Sequence, residues 1–216
     1  MSSVKNKETT VTSASEEARK IWEVMQGENR KPSINHVIMM ALFTGIGVVV
    51  GTFGSLAIPL GFVTAFWPAQ AIQSVGSIWF GMWGGIASFV FPLISNVLSG
   101  SAPLPVSIAY IPGNFLQGML AGFAFRYFKA DPRLKTGKDW MMFVVFGVIG
   151  CNLIGAGWGS TVLRSFGLIS PASHLIVFLG WFLGNSIPSF ILGVILLKFI
   201  SPIVIRTKAF CKKLWA

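Results

Sequence analysis

An all-α polytopic membrane bundle is the fold the sequence predicts, and three observations predict it. Of 216 residues, 53% are hydrophobic and only 11% are charged, far more apolar than an ordinary soluble domain. No Asp, Glu, Lys or Arg occurs from Pro32 to Phe125, and Arg164 alone interrupts Trp140 to Leu197; stretches of this kind belong in hydrocarbon. The basic residues, finally, fall into three clusters. Lys5, Lys7, Arg19, Lys20, Arg30 and Lys31 precede the first apolar run, Arg126, Lys129, Arg133, Lys135 and Lys138 fill an internal loop, and Arg206, Lys208, Lys212 and Lys213 follow the last run.

If positive charge marks the cytoplasmic side, the chain crosses an even number of times between each pair of clusters. Residues 37–125 have room for four helices of about 20 residues and 140–205 for two. The expected architecture is a six-transmembrane-helix bundle with both termini cytoplasmic: a hydrophilic tail at 1–35, a membrane domain at 36–205 and a basic tail at 206–216. The expected spans are 37–57, 61–80, 82–99, 105–126, 140–162 and 175–204. Turn residues mark the breaks: Pro59 with Gly61, Gly84-Gly85, Gly100 to Pro105, and Arg164 to Ser173.

The tail holds Ser13 and Glu16 at capping-box spacing, with Ala14, Ala18, Ile21 and Met25 on one helical stripe. Two readings stay open for it, an amphipathic helix on the membrane surface and a partly disordered tail. The polar start, with no apolar run before Val37, does not fit a cleaved signal peptide, so the first run is expected to stay as a membrane helix. A multi-pass protein of a prokaryotic plasma membrane is the expected setting. The net charge of +10 reads as a topology signal, because no zinc-finger, helix-turn-helix or aromatic RNA-binding pattern accompanies it. Nucleic acid is not an expected partner; the lipid bilayer is.

Glycines recur four apart at 47 and 51, 81 and 85, 118 and 122, 155 and 159, and 180 and 184. Lipid gives helices no hydrophobic reason to associate, so close backbone approach at such positions supplies packing energy. The two cysteines, Cys151 in an apolar run and Cys211 in a basic tail, lie at different expected depths and imply no disulfide.

Catalysis finds little support. The apolar runs carry no carboxylate, and no His-Glu-x-x-His, Ser-His-Asp set or G-x-x-x-x-G-K-[ST] loop is present. Without carboxylates the chain does not read as a proton- or sodium-coupled carrier, and without a phosphate loop it is not its own ATP motor. No catalytic residue, metal ligand or cofactor is assigned, His36 and His174 being read as interfacial. Uncharged polar and aromatic residues remain. Trp67, Gln70, Gln73 and Ser74 lie on the second expected helix, Tyr110, Asn114 and Gln117 share one face of the fourth, Asn152 and Trp158 lie on the fifth, and Trp181 and Asn185 on the sixth. Taken singly, each Asn or Gln reads as an interhelical bond and each Trp as part of an interfacial belt. Their convergence in the outer half of the bundle makes a small-molecule pocket the functional hypothesis. Trp67, Tyr110, Trp158 and Trp181 would enclose a planar solute, and Gln70, Asn114, Asn152 and Asn185 would orient it. Arg164, the one permanent charge in the expected outer loops, is either a partner for an anionic solute or a solvated loop residue.

Four stretches carry a family resemblance: Ala41-Leu-Phe-Thr-Gly45, IWFGMWGGIASFVFPLISNVLSG at 78–100, NFLQGMLAGFAFR at 114–126 and LGNSIPSFILGVILLKFISPIVIR at 183–206. Together they resemble the substrate-binding S components of energy-coupling factor (ECF) transporters. That resemblance implies a six-helix subunit that captures a vitamin or similar micronutrient at the outer side. It also implies as partners a membrane coupling subunit and two cytosolic ATPase subunits, with Ala41 and Gly45 matching an Ala-x-x-x-Ala docking surface in which glycine replaces the second alanine. A second resemblance competes: FWPAQAIQSVGSIWFGMWGGI at 66–86 is similar to the Trp-Pro region of membrane sensor domains that precede histidine kinases or diguanylate cyclases. It implies a sensor or scaffold acting with a cytoplasmic signalling partner.

Overall fold

The computed structural model describes residues 13–28, 30–57, 59–60, 63–64 and 66–216. Residues 13–22 form α1, and α2 (Ile34–Ala57) follows. A two-residue antiparallel pairing, β1 (Pro59–Leu60) with β2 (Val63–Thr64), sets Pro59 opposite Thr64. Next come α3 (Ala69–Phe80), α4 (Met82–Ser99), α5 (Leu104–Ala109) and α6 (Ile111–Phe128). A continuous run then joins α7 (Gly137–Met142), a π-helical stretch (Phe143–Gly150) and α8 (Cys151–Ser165). Last, α9 (His174–Ile195) passes through a second π-helical stretch (Leu196–Ile200) into α10 (Ser201–Val204).

Among the described residues, four stretches are long and apolar enough to cross a membrane: Ile34–Ser55, Met82–Ser99, Gly137–Ser165 and His174–Val204. They match the first, third, fifth and sixth expected spans. The second expected span, 61–80, is corrected: residues 63–64 within it are paired strand, and its helix begins only at Ala69. Pro68 stands at the helix start, where a missing N–H costs nothing. Twelve residues make about 18 Å of helix, short of a hydrocarbon core of about 30 Å. All twelve are buried, with α2, α4, α6 and α9 packed around them, so α3 is a strut inside the protein. The break before α4 is also corrected, from Gly84-Gly85 to Gly81. Gly81 adopts a positive φ of 55° and its Cα meets the Leu214 carbonyl too closely for a side chain, whereas Gly84 and Gly85 lie within α4.

Lys5 and Lys7 lie outside the described residues; the described parts of the three basic clusters, distant in sequence, meet at one end of the bundle. Arg126, 8% exposed, is the hub. Its guanidinium donates to the carbonyls of Ser77 (2.8 Å), Ile78 (3.2 Å), Gly122 (2.9 Å), Cys211 (2.7 Å) and Lys213 (3.0 Å), and it lies 5.0 Å from the centre of the Trp22 ring. The contacts include no carboxylate. Compensation comes from the negative C-terminal end of α3, whose last-turn carbonyls it caps, and from the indole face.

Trp22 fixes α1 to this end, donating to the Ala130 carbonyl at 2.8 Å and packing on Phe210. The expected stripe is thereby changed: Ala18, Ile21 and Trp22 are buried in the bundle's basic end, while Met25 is exposed. A tryptophan one position beyond Ile21 turns the buried face toward protein. Glu17 bridges Arg133 (3.0 Å) and Lys135 (2.8 Å), and Arg133 also clamps the buried Asp131 at 2.7 Å. Glu28 accepts from Arg30 (2.6 Å) and Lys212 (2.8 Å). The Lys212 hydrogen bond, the Met25 amide and Arg30 hold the Glu28 carboxyl down at about 2. A carboxyl so depressed stabilises the fold above its ordinary value of 4.5 and loses that contribution as pH falls toward 2. Acidification through this window is expected to loosen residues 23–30 from the C-terminal tail, seen as rising amide exchange in both. Glu28→Gln should remove the pH step.

Candidate functional site

The polar residues of the apolar runs gather along one seam between α3, α6, α8 and α9. It begins where α3 begins, at mid-depth: the Trp67 amide donates to the Gly184 carbonyl (3.0 Å), ten residues or about 15 Å into α9. Gln70, fully buried, accepts from Asn185 Nδ2 at 3.4 Å and faces the Cys151 thiol at 3.9 Å. One turn on, Gln73 donates to the Ser88 carbonyl (2.5 Å) and accepts from Gln117 Nε2 (3.0 Å), which also donates to Asn114 Oδ1 (2.9 Å). Ser74 donates to the Gly147 carbonyl (2.8 Å) in the π-helical stretch, a carbonyl that also accepts from the Cys151 thiol (2.9 Å). Asn152 donates to the Val148 carbonyl (2.8 Å) and lies 3.4 Å from Ser189 Oγ.

Each of these bonds is strong in a medium that supplies no competing water. Three polar atoms in the seam nevertheless have no protein partner: Gln117 Oε1, Asn152 Oδ1 and Tyr110 Oη. Buried polar atoms are paired as a rule, because leaving one unmade costs about 1–3 kcal/mol. Each such atom is open to a further hydrogen-bond partner.

The expected site residues divide by location. Gln70, Asn152 and Asn185 are buried in the seam, and Asn114 lies partly buried at its edge. Tyr110 and Trp181 form a T-shaped pair, ring centres 5.4 Å apart, at the end of the seam far from Arg126. Trp67 packs on Phe91 and donates to the Gly51 carbonyl at 3.2 Å, which turns its ring toward α2 and α4. Trp158, 41% exposed, donates to the Ala109 carbonyl (2.8 Å) and lies along Gly113. Arg164 is exposed in the last turn of α8, twelve residues or about 18 Å beyond Asn152 along the helix axis. Ala41 and Gly45 lie on the exposed face of α2, where with Leu42, Ile46, Val49 and Val50 they line an open apolar groove of about 530 Å³.

Gln73, Ser74 and Gln117 were legible as polar residues of these helices, but their place at the centre of the network was not. Ser88, Cys151 and Ser189 gave no signal, since small residues in apolar runs read as packing. Gly155 is their unexpected complement. The Gln117 side-chain oxygen rests against its Cα so closely that a methyl group there would occupy the same space. Gly155→Ala is expected to swing the Gln117 amide off Gln73 and Asn114 at a cost of about 1–3 kcal/mol, measured as a lower thermal midpoint in detergent.

His174 lies 3.0 Å from Ser160 Oγ, bridging α8 to α9, and His36 stacks on Trp83 with ring centres 6.0 Å apart. Among the described residues no group of three His, Cys, Asp or Glu side chains forms a metal site. Compared with protein-family models, curated proteins and solved structures, the chain matches none.

Proposed function

We propose that this chain is the solute-capture membrane subunit of an ECF-type uptake transporter, taking in a vitamin-like or other small micronutrient and energised by separate ATPase subunits. One observation carries the proposal: a buried seam of amides on four helices, oriented by mutual hydrogen bonds and still holding unpartnered polar atoms. The glycine-rich stretches that resemble S components cover most of α6, the second half of α9 and the last turn of α3, and none of α8. The chain crosses the membrane six times with both termini in the cytoplasm. The second crossing includes α3, whose shortness is tolerable in a bilayer because protein surrounds it. Arg126 and the tails then lie at the cytoplasmic end, and the Tyr110–Trp181 pair opens to the outside. The coupling subunit docks on α2 at Ala41 and Gly45.

The test is affinity purification in mild detergent with mass spectrometry of co-purifying proteins and retained small molecules. A coupling subunit with two ATPases, together with a retained compound, is the expected result. A kinase or cyclase in their place, with no ATPase and no compound, would replace uptake by the sensor reading. That reading draws on the basic end, although Glu17, Glu28 and Asp131 already occupy several of its cations. The double substitution Gln70→Leu/Asn185→Leu removes both partners of one buried bond, which leaves stability nearly unchanged. It is expected to lower the retained compound by roughly tenfold while the thermal midpoint holds.

A further inference from the structure

The sequence leaves two kinds of solute open, a neutral one and an anion whose charge meets Arg164. The positions of Arg164 and of the unpartnered atoms separate them. We propose that the seam selects a neutral solute presenting N–H or O–H donors, such as a planar ring bearing an amide or amino group, and rejects anions. This inference rests on the solute-capture function proposed above.

The orientation of two amides carries it. Gln117 spends its Nε2 on Gln73 Oε1 and Asn114 Oδ1, so its amide cannot flip without losing both bonds. Asn152 spends its Nδ2 on the Val148 carbonyl. Both amides are therefore fixed with their oxygens unpartnered, at 2% and 1% residue exposure. An amide oxygen accepts and cannot donate, so what completes it must be a donor. The two oxygens border the same stretch of α8, since Gln117 Oε1 rests on Gly155, less than one turn beyond Asn152. Tyr110 Oη, on the residue that caps the start of α6 seven positions before Gln117, is the third unpartnered group and can either donate or accept.

The seam offers an anion no counter-charge. None of the seam side chains described above is a Lys, Arg or His, and Arg164 stands about 18 Å along α8 from Asn152. The N-terminus of α3 is closed as well. The Gln70 and Ala71 amides turn back on the Trp67 and Pro68 carbonyls (3.2 and 3.1 Å), and the Trp67 amide is taken by Gly184. A carboxylate or phosphate entering here would lose its hydration, gain no counter-charge and face two carbonyl-type oxygens that repel it.

The experiment uses the full chain in lipid nanodiscs. Compounds retained through purification are released by denaturation and identified, and the matched probes benzamide and benzoate are titrated by calorimetry and as competitors. Wild type is compared with Asn152→Leu and with Asn152→Asp, which keeps a carbonyl oxygen at that position when protonated. The expected retained compound is uncharged and carries N–H or O–H donors. Its amount falls roughly tenfold in Asn152→Leu and is partly restored in Asn152→Asp at low pH, and benzamide competes where benzoate does not. A retained carboxylate or phosphate, or equal retention by wild type and Asn152→Leu, overturns the donor proposal while leaving solute capture standing. No retained compound, no heat with either probe and no ATPase partner overturns capture itself and the donor proposal with it.

Discussion

Arg126→Ala is expected to release both tails together and to cost roughly 3–5 kcal/mol, the scale of breaking a buried charged hub. The substitution strands carbonyls of Ile78, Cys211 and Lys213 and removes the cation from the Trp22 ring. Cys211 reports the event. Its thiol is fully buried and burial pushes it up to about 11, so it should resist a maleimide in the native protein and react in the variant. Residues 13–22 should become protease-sensitive in the same preparation, because α1 is held through Trp22. Arg126→Lys keeps the charge but offers three donors where five are used, so it should fall between wild type and alanine. Cys211 labelling without loss of α1 protection would show that the tails are held separately.

Gly84→Val is expected to cost about 3 kcal/mol or more, as overpacking against backbone does where nothing can move aside. At this point α4 crosses α3 with backbones in contact: any side chain on Gly84 would run into the Gly76 carbonyl, and the Ser77 nitrogen lies only 2.6 Å from where its first carbon would stand. The expected readout is loss of the monodisperse peak in size-exclusion chromatography and a thermal midpoint lowered by many degrees. Gly157→Ala is the control. A methyl group there meets nothing within 4 Å, and alanine favours helix over glycine by up to about 1 kcal/mol, so that variant should match or exceed wild type. Equal behaviour of the two substitutions would remove the α3–α4 contact as a determinant of stability.

Long apolar segments were read from the sequence with ends near those observed, because hydropathy over 20 residues integrates many side chains. The pairs Gly47 with Gly51 and Gly118 with Gly122 were legible for the same reason and lie against Phe91, Ser95, Ser88 and Ser77. α3 was misjudged in length because an apolar window does not tell a helix facing lipid from one surrounded by protein. Only Pro68 and the turn residues before it hinted at a late start. Gly84 paired with Gly76 escaped notice, since the contact joins two helices and no spacing within one helix announces it. At the seam, residue types could be read but not bond partners: Asn185 and Gln70 are 115 positions apart. The π-helical stretches, the first of which holds the Gly147 carbonyl that Ser74 and Cys151 reach, have no local signature in the sequence.

The interior position of α3 also bears on how the protein is made. A ribosome delivers Gln73 before Gln117, which is 44 residues further along, and Gln70 before Asn185, which is 115 further along. At about 5–20 residues per second, the second wait is on the order of ten seconds. Through that interval a helix too short to span the bilayer carries one amide, that of Gln70, whose partner on α9 has not yet been made. The newborn protein therefore passes through a stage in which α3 packs on α2, α4 and α6 while Gln70 waits for α9.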